Sequence, residues 1–159
     1  MGKGVFIMKE IKLTQGKVAL VDDEDYEYLN QFKWAARFSK KRYYAHKAKT
    51  KESIMMHRFI LNPPKNMIVD HIDHNGLNNQ RNNLRICNNK QNSYNKQSWG
   101  ECGYLGVYKR NRNGGYLSRI SKDNNSYFLG FFNNKEDAAK AYDIKAKELF
   151  CEFANLNFK

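Results

Sequence analysis

The chain has no uninterrupted apolar run of the roughly eighteen residues that a membrane-spanning helix needs, so a span is not expected. Cysteine is scarce. Cys87, Cys102 and Cys151 are odd in number and far apart, which argues against both a disulfide framework and a C-x-x-C zinc site. Zinc is therefore not expected, and any metal would be held through oxygen and nitrogen. Acidic side chains are few beside basic ones, 16 against 28, for a net charge of +12 on 159 residues. Such a surface attracts polyanions, nucleic acid above all, and an AT-rich coding bias toward Asn, Lys, Ile and Tyr is the competing explanation. Neither a low-complexity tract nor an internal repeat is present. The segment Met1–Met8 is too short and too polar for a signal peptide, and Met8 would serve equally well as a start.

Core-forming residues are plentiful: 41% of the chain is hydrophobic and 14% aromatic, enough for one ordinary domain or two small ones. Residues 1–99 carry 18 basic and 9 acidic side chains and residues 100–159 carry 10 and 7, so most of the excess lies in the first part. The loss of periodicity over Asn95–Gly103 marks the expected boundary, with domains at 1–97 and 104–159. In the first part, Val18–Val21, Arg42–Ala45 and Ile54–Met56 read as strands, the last two separated by a polar turn at Lys49–Ser53. Asp22–Asp25 is an acidic helix start ahead of Tyr26, Leu29 and Phe32, and Pro63-Pro64 ends the element holding His57–Leu61. In the second part, Tyr104–Arg110, Tyr116–Lys122 and Ser126–Phe132 read as strands joined by turns at Asn113–Gly115 and Asp123–Asn125. Asn133 and Glu136 have capping-box spacing before a helix whose stripe is Ala138, Ala139, Tyr142, Ala146, Leu149 and Phe150. The fold class expected is α+β, with a three-stranded antiparallel sheet packed on one helix in the second part.

Met67–Asn92 carries the chemistry. A short apolar strand runs into Asp70-His71, a loop spans Asp73–Gly76, Leu84–Cys87 is a second strand, and Asn88 opens a polar helix containing Asn92. A carboxylate and an amide oxygen suit a hard cation, and an adjacent imidazole can take a proton from water, the parts required for phosphodiester hydrolysis. Nine of the 21 residues from Asn75 to Asn95 are Asn, so the register rests on V-D-H and on N-N-L-R.

These residues resemble the HNH nucleases, specifically the phage and intron-encoded homing branch with its ββα-metal motif, here spanning 57–95. The resemblance implies that Asp70 and Asn92 bind the metal, that His71 is the general base, and that Asn83 ties the loop and orients His71, with Asn78-Asn79 as the internal pair. An Asn at the last ligand position favours Mg²⁺ or Mn²⁺. The implied products are 5′-phosphate and 3′-hydroxyl ends, and a single site in a monomer, with a dimer left open, suggests nicking. Arg81 and Arg85 are expected phosphate clamps. His74 reads as a surface loop residue, His46 as an exposed strand residue, and His57, in a Met-His-Arg block that homing-type relatives also carry, as a structural contact that helps position the site. Double-stranded DNA is the expected partner, and the cytoplasm of a bacterial or phage-infected cell the expected location.

Residues 104–158 are similar to the ethylene-response-factor (APETALA-type) DNA-binding domain, through Y-L-G-V-Y-K-R, Y-L-S-R-I, Y-F-L-G-F-F, E-D-A-A-K-A-Y-D and A-N-L-N-F in that order. The resemblance implies a sheet lying in the major groove. Strand alternation sets Val107, Ile120, Tyr127, Leu129 and Phe131 toward the helix. Tyr108, Arg110, Arg119, Ser121, Ser126 and Phe128 then face DNA, with Arg112 reaching the backbone from the turn. Two other readings compete: a DNA-binding regulator whose nuclease site is inactive, and a basic RNA-binding protein, for which no RNA motif speaks.

Overall fold

The computed structural model describes residues 8–48, 53–95, 101–110 and 114–158. It is a mixed α/β chain of small antiparallel sheets and several helices, in two compact units, residues 1–89 and 90–159. The division at Asn89/Lys90 lies before the expected boundary, of which residues 96–100 are outside the described set. No helix among the described residues is long and apolar enough to cross a membrane.

In the first unit, β1 (Met8–Lys12) pairs antiparallel with β2 (Val18–Asp22), placing Ile11 opposite Ala19. Asp22 stands at the N-cap position of α1 (Asp23–Leu29) without a side-chain capping bond, and the first turn holds Asp23, Glu24 and Asp25, favourably placed against the positive end of the helix dipole. The sheet β3 (Ala35–Ser39), β4 (Arg42–Ala48) and β5 (Ser53–Met55) leads directly into α2 (Met56–Leu61), which stops at Asn62 in the left-handed region just before the two prolines. Strands β1 and β3 carry too many charged or exposed residues to announce themselves in the sequence. Their buried positions, Ile11 and Ala36, join Val21, Leu29, Trp34, Ala45 and Met56 in one core. A second hairpin, β6 (Ile68–His71) with β7 (Leu84–Cys87), sets Asp70 opposite Arg85 and His71 opposite Leu84. The polar turn expected at Lys49–Ser53 lies, except for Ser53, outside the described residues.

The second unit takes in all but the first residue of α3 (Asn89–Tyr94), with Tyr94 stacked on Phe150 at a ring separation of 4.3 Å. Its sheet runs in the order β10 (Asn125–Phe132), β9 (Tyr116–Lys122), β8 (Val107–Lys109), and α4 (Lys135–Phe150) packs on one face. Asp123 and Asn124 both take positive φ in the two-residue β9–β10 turn, a conformation short Asx side chains tolerate. Asn113 and Arg112 fall outside the described residues. The helix begins one residue later than its sequence suggests. Asn134, not Asn133, is the cap, and its side chain accepts from the Asp137 amide at 2.8 Å.

The alternation expected for β10 fails at its midpoint. Tyr127 pairs with Ile120 and Phe128 with Arg119, but the register then jumps so that Gly130 pairs with Ser118 and Phe131 with Leu117. A bulge inserts one residue and exchanges the faces beyond it. Gly130, at φ +131°, supplies backbone that side-chain-bearing residues rarely adopt. Phe131, expected inside, is therefore 59% exposed on the outer face, and Phe132 packs inward in its place near Val107 and Ala138.

Candidate active site

Everything near Asp70 and His71 hangs on one loop. After β6, the Ile72 amide donates to the Asn83 carbonyl and the His74 amide to the His71 carbonyl, with His74 in the left-handed region. Asn and Asp side chains then stitch the loop in sequence. Asp73 accepts from the Asn75 amide at 2.8 Å, Asn75 from the Leu77 amide at 3.1 Å, and Asn78 from the Gln80 amide at 3.4 Å. Each bond is a side-chain oxygen reaching the backbone two residues on, the Asx-turn habit, and it gives Asn75 and Asn78 a structural role.

Asp73 is the hub. Besides the Asn75 amide, its carboxylate receives the side-chain amides of Asn83 at 2.9 Å and Asn78 at 2.8 Å. Burial pushes the carboxyl pKa up, but these hydrogen bonds and the nearby His71 outweigh it, and the net shift is downward. Asn83 also accepts from the Asp73 amide at 3.0 Å and donates to the Asn78 carbonyl at 2.8 Å.

The loop is fastened to β2. The Leu20 amide donates to the Leu77 carbonyl, and the Asn79 amide donates to the Leu20 carbonyl, both at 2.8 Å. Asp22 accepts from the Arg81 amide at 2.7 Å and the Gln80 side chain at 3.3 Å. Gly76 lies so close to Tyr43 and Tyr44 that a Cβ would sit 2.5 Å from the Tyr43 carbonyl oxygen, so no other residue fits there without displacing β4.

His71 is buried at the end of β6, and its Nε2 lies 3.4 Å from the side-chain oxygen of Asn79, itself fully buried. The Asn79 amide nitrogen donates to the Leu77 carbonyl at 3.1 Å, which turns its oxygen toward the imidazole. An oxygen there accepts from a protonated Nε2 and selects the tautomer in which Nδ1 holds the lone pair. Among the hydrogen bonds described, it is thus Asn79 that contacts the His71 ring, while the Asn83 side chain organises the loop. Burial pushes the His71 pKa below its ordinary value, only partly opposed by the Asn79 bond and by Asp73 and Asp70, so the ring is neutral near pH 7.

His74 and His46 are placed differently from their sequence reading. His74 is buried, not a surface residue. His57, in α2, stands edge-on to His71 with ring centroids 4.9 Å apart, and Tyr44 lies 5.9 Å from His71 and 6.1 Å from His57. Its Nδ1 is buried without a hydrogen-bond partner, and burial, followed by His71 and Arg58, lowers its pKa to about 3. The Met-His-Arg spacing marked this position, but no sequence signal placed it against His71. His46 is half-buried in β4 and bonds Ser53 at 3.0 Å.

The expected clamps are engaged within the fold. Arg81 makes a two-pronged pair with Asp25 at 2.7 and 2.8 Å and a further contact with Glu24 at 2.7 Å, so its charge is spent on α1. Arg85 donates from Nε and Nη2 to Asp70 Oδ2, at 3.0 and 2.7 Å, across the β6–β7 hairpin. The pair is nearly buried, with both side chains below 15% exposure. Asn92 lies on α3 in the second unit, whereas Asp70, His71, Asp73, Asn79 and Asn83 belong together in the first.

No group of three His, Cys, Asp or Glu side chains comes together among the described residues, so a metal here would have few protein ligands. One carboxylate, Asp70, beside a neutral imidazole fits a hard cation that retains most of its water, the habit of Mg²⁺ and Mn²⁺. Such an ion would share Asp70 with Arg85.

In the second unit, Tyr108, Arg119, Ser121, Ser126 and Phe128 are exposed on the outer face and Arg110 is half-exposed. The Arg119 guanidinium lies 4.6 Å over the Tyr108 ring and that of Arg110 3.9 Å over the Phe131 ring.

Comparison with known proteins bears on the first unit. Residues 62–94 match the family described as HNH endonuclease. An uncharacterized HNH endonuclease of Acanthamoeba polyphaga mimivirus is 37% identical over 110 residues, covering 65% of this chain and 57% of that protein. The aligned region thus spans little more than half of that relative. Residues 62–94 are thus similar to an HNH endonuclease domain.

Proposed function

We propose, from the HNH endonuclease match at residues 62–94, that this chain is a metal-dependent endonuclease that hydrolyses phosphodiester bonds in double-stranded DNA. The observation that carries the reading is a buried, neutral His71 with Asn79 on Nε2, next to the Asp70 carboxylate. His71 Nδ1 takes the proton of the attacking water, and Asn79 keeps the ring in the tautomer that can do so. Asp70 would be a protein ligand of Mg²⁺ or Mn²⁺. The bound ion supplies positive charge for the scissile phosphate and the leaving 3′ oxygen, giving 5′-phosphate and 3′-hydroxyl ends. Asp73 and Asn83 keep the loop, and with it Asn79, in place. A chain acting alone with one such site nicks one strand at a time. The outer face of the second unit, in the manner of an APETALA-type domain, grips the duplex through Arg110, Arg119, Tyr108, Ser121, Ser126 and Phe128, with Arg112 on the backbone.

The competing reading, a DNA-binding regulator without cleavage, draws support from the Asp70–Arg85 pair, which already neutralises the carboxylate. Supercoiled plasmid incubated with Mg²⁺ separates the two. Nicking that stops with EDTA and falls at least about a hundredfold in His71→Ala is expected, since a general base contributes typically 10²–10⁴-fold. Retention of DNA by His71→Ala should be unchanged. No nicking by the unaltered chain with Mg²⁺ or Mn²⁺ would leave the regulator.

A further inference from the structure

The bulge in β10 gives the outer sheet face a composition that strand alternation does not foresee. Phe128 and Phe131 are 60% and 59% exposed and stand edge to face with centroids 4.9 Å apart. Register sets Leu117 opposite Phe131 and Arg119 opposite Phe128, so the two rings continue into neighbouring side chains on β9. Arginines border this apolar patch. The Arg110 guanidinium lies over the Phe131 ring and that of Arg119 over the Tyr108 ring. Two phenylalanines held in water on the edge strand β10, beside Arg119 of the central strand β9, set an apolar patch and cationic groups side by side on one face.

We infer that Phe128 and Phe131 read thymine, by covering its 5-methyl group in the major groove of duplex DNA. The inference rests on the proposed docking of this sheet on DNA and deepens it. Charge complementarity selects the occupant: residues 100–159 carry 10 basic against 7 acidic side chains, and the arginines beside the phenyl rings suit phosphates and the N7/O6 edge of guanine. Within the major groove, the thymine methyl is the one apolar feature that base pairs present, and it is the only one a phenyl ring can distinguish. Phe128 and Phe131 carry no hydrogen-bonding group, so discrimination at their place on the face falls to apolar contact. Phe131 takes part only because the bulge turns it outward, which makes Gly130 part of the reading head.

Uracil isolates the effect, because it pairs as thymine does and lacks only the methyl. Duplexes retained by the full chain from a random library, in EDTA to prevent cleavage, would be resynthesised with deoxyuridine for thymidine and their affinities compared. Uracil substitution is expected to weaken binding about fourfold for each methyl covered, the value of burying one CH₂-sized group. Phe131→Asn and Phe128→Asn should each reduce that ratio toward one, while Phe131→Leu, still apolar, should retain most of it. Arg119→Ala should weaken both duplexes equally. Unchanged melting temperatures of the exposed-site variants would show the fold intact. Equal affinity of the unaltered chain for both duplexes overturns the inference while leaving DNA docking in place. Failure of Arg119→Ala and both Phe variants to alter retention at all overturns the docking itself. Sedimentation of the unaltered chain as a dimer that Phe131→Asn dissociates would assign the patch to contacts between copies instead.

Discussion

His57 is a buried imidazole with an unpartnered Nδ1 and a pKa near 3, and this ties the stability of the first unit to acidity. In the unfolded chain the same ring titrates near its ordinary 6.5, so the folded state binds its proton more weakly. A group depressed in this way contributes its full stability above pH 6.5 and loses it as pH falls toward 3. The slope reaches about 1.4 kcal/mol per pH unit once the unfolded ring is fully protonated. His71, lowered for the same first reason, adds to the trend. Urea unfolding midpoints should therefore drop steeply between pH 6 and pH 4. His57→Leu, which keeps the bulk and cannot be protonated, should visibly flatten that drop; an unchanged slope would mean that His57 is hydrated or titrates normally.

Among the elements, β10 shows how local sequence and tertiary register part company. Its first half obeys the period of two and its second half does not, and the turning point is Gly130. A bulge is legible only as a glycine inside an otherwise regular strand, a pattern that equally well denotes a plain weak point. Val at this position would carry a Cβ at φ +131° and within 3.3 Å of the Phe132 ring. Gly130→Val should cost about 1–3 kcal/mol and lower the melting temperature of the second unit by several degrees. If the strand survives by losing its bulge, Phe131 turns inward and retention on DNA falls with it. Other elements were plain from the residues. Strands β2, β7 and β9 and helix α4 follow directly from apolar periodicity and turn chemistry. Strands β1 and β3 did not, because their hydrophobic residues are spread singly among lysines, glutamate and arginine. The site divides in the same way: V-D-H marks Asp70 and His71, yet in a stretch so rich in asparagine no local rule distinguishes Asn79, which touches the imidazole, from Asn83, which braces the loop.

For the molecule as a whole, charge sets the conditions under which any of this chemistry could be observed. A protein that neutralises about six to ten phosphates loses roughly 10³–10⁵ in affinity between 50 and 200 mM salt, because condensed counterions are released on binding. With a net charge of +12, this chain is expected to show such a fall in filter retention of a long duplex measured in EDTA. A nearly flat salt response would mean that the excess lysine is compositional drift and has no part in docking.

The stretch that matches the HNH endonuclease family begins at residue 62, but the physical object begins far earlier. The loop holding Asn79 borrows a strand partner from Leu20 and two carboxylates from Asp22 and Asp25. Anyone excising the motif for transplantation into another scaffold would carry away the chemistry and leave behind its scaffolding. The smallest transferable piece must reach back through the first hairpin, and the boundary of the match records resemblance rather than mechanical independence.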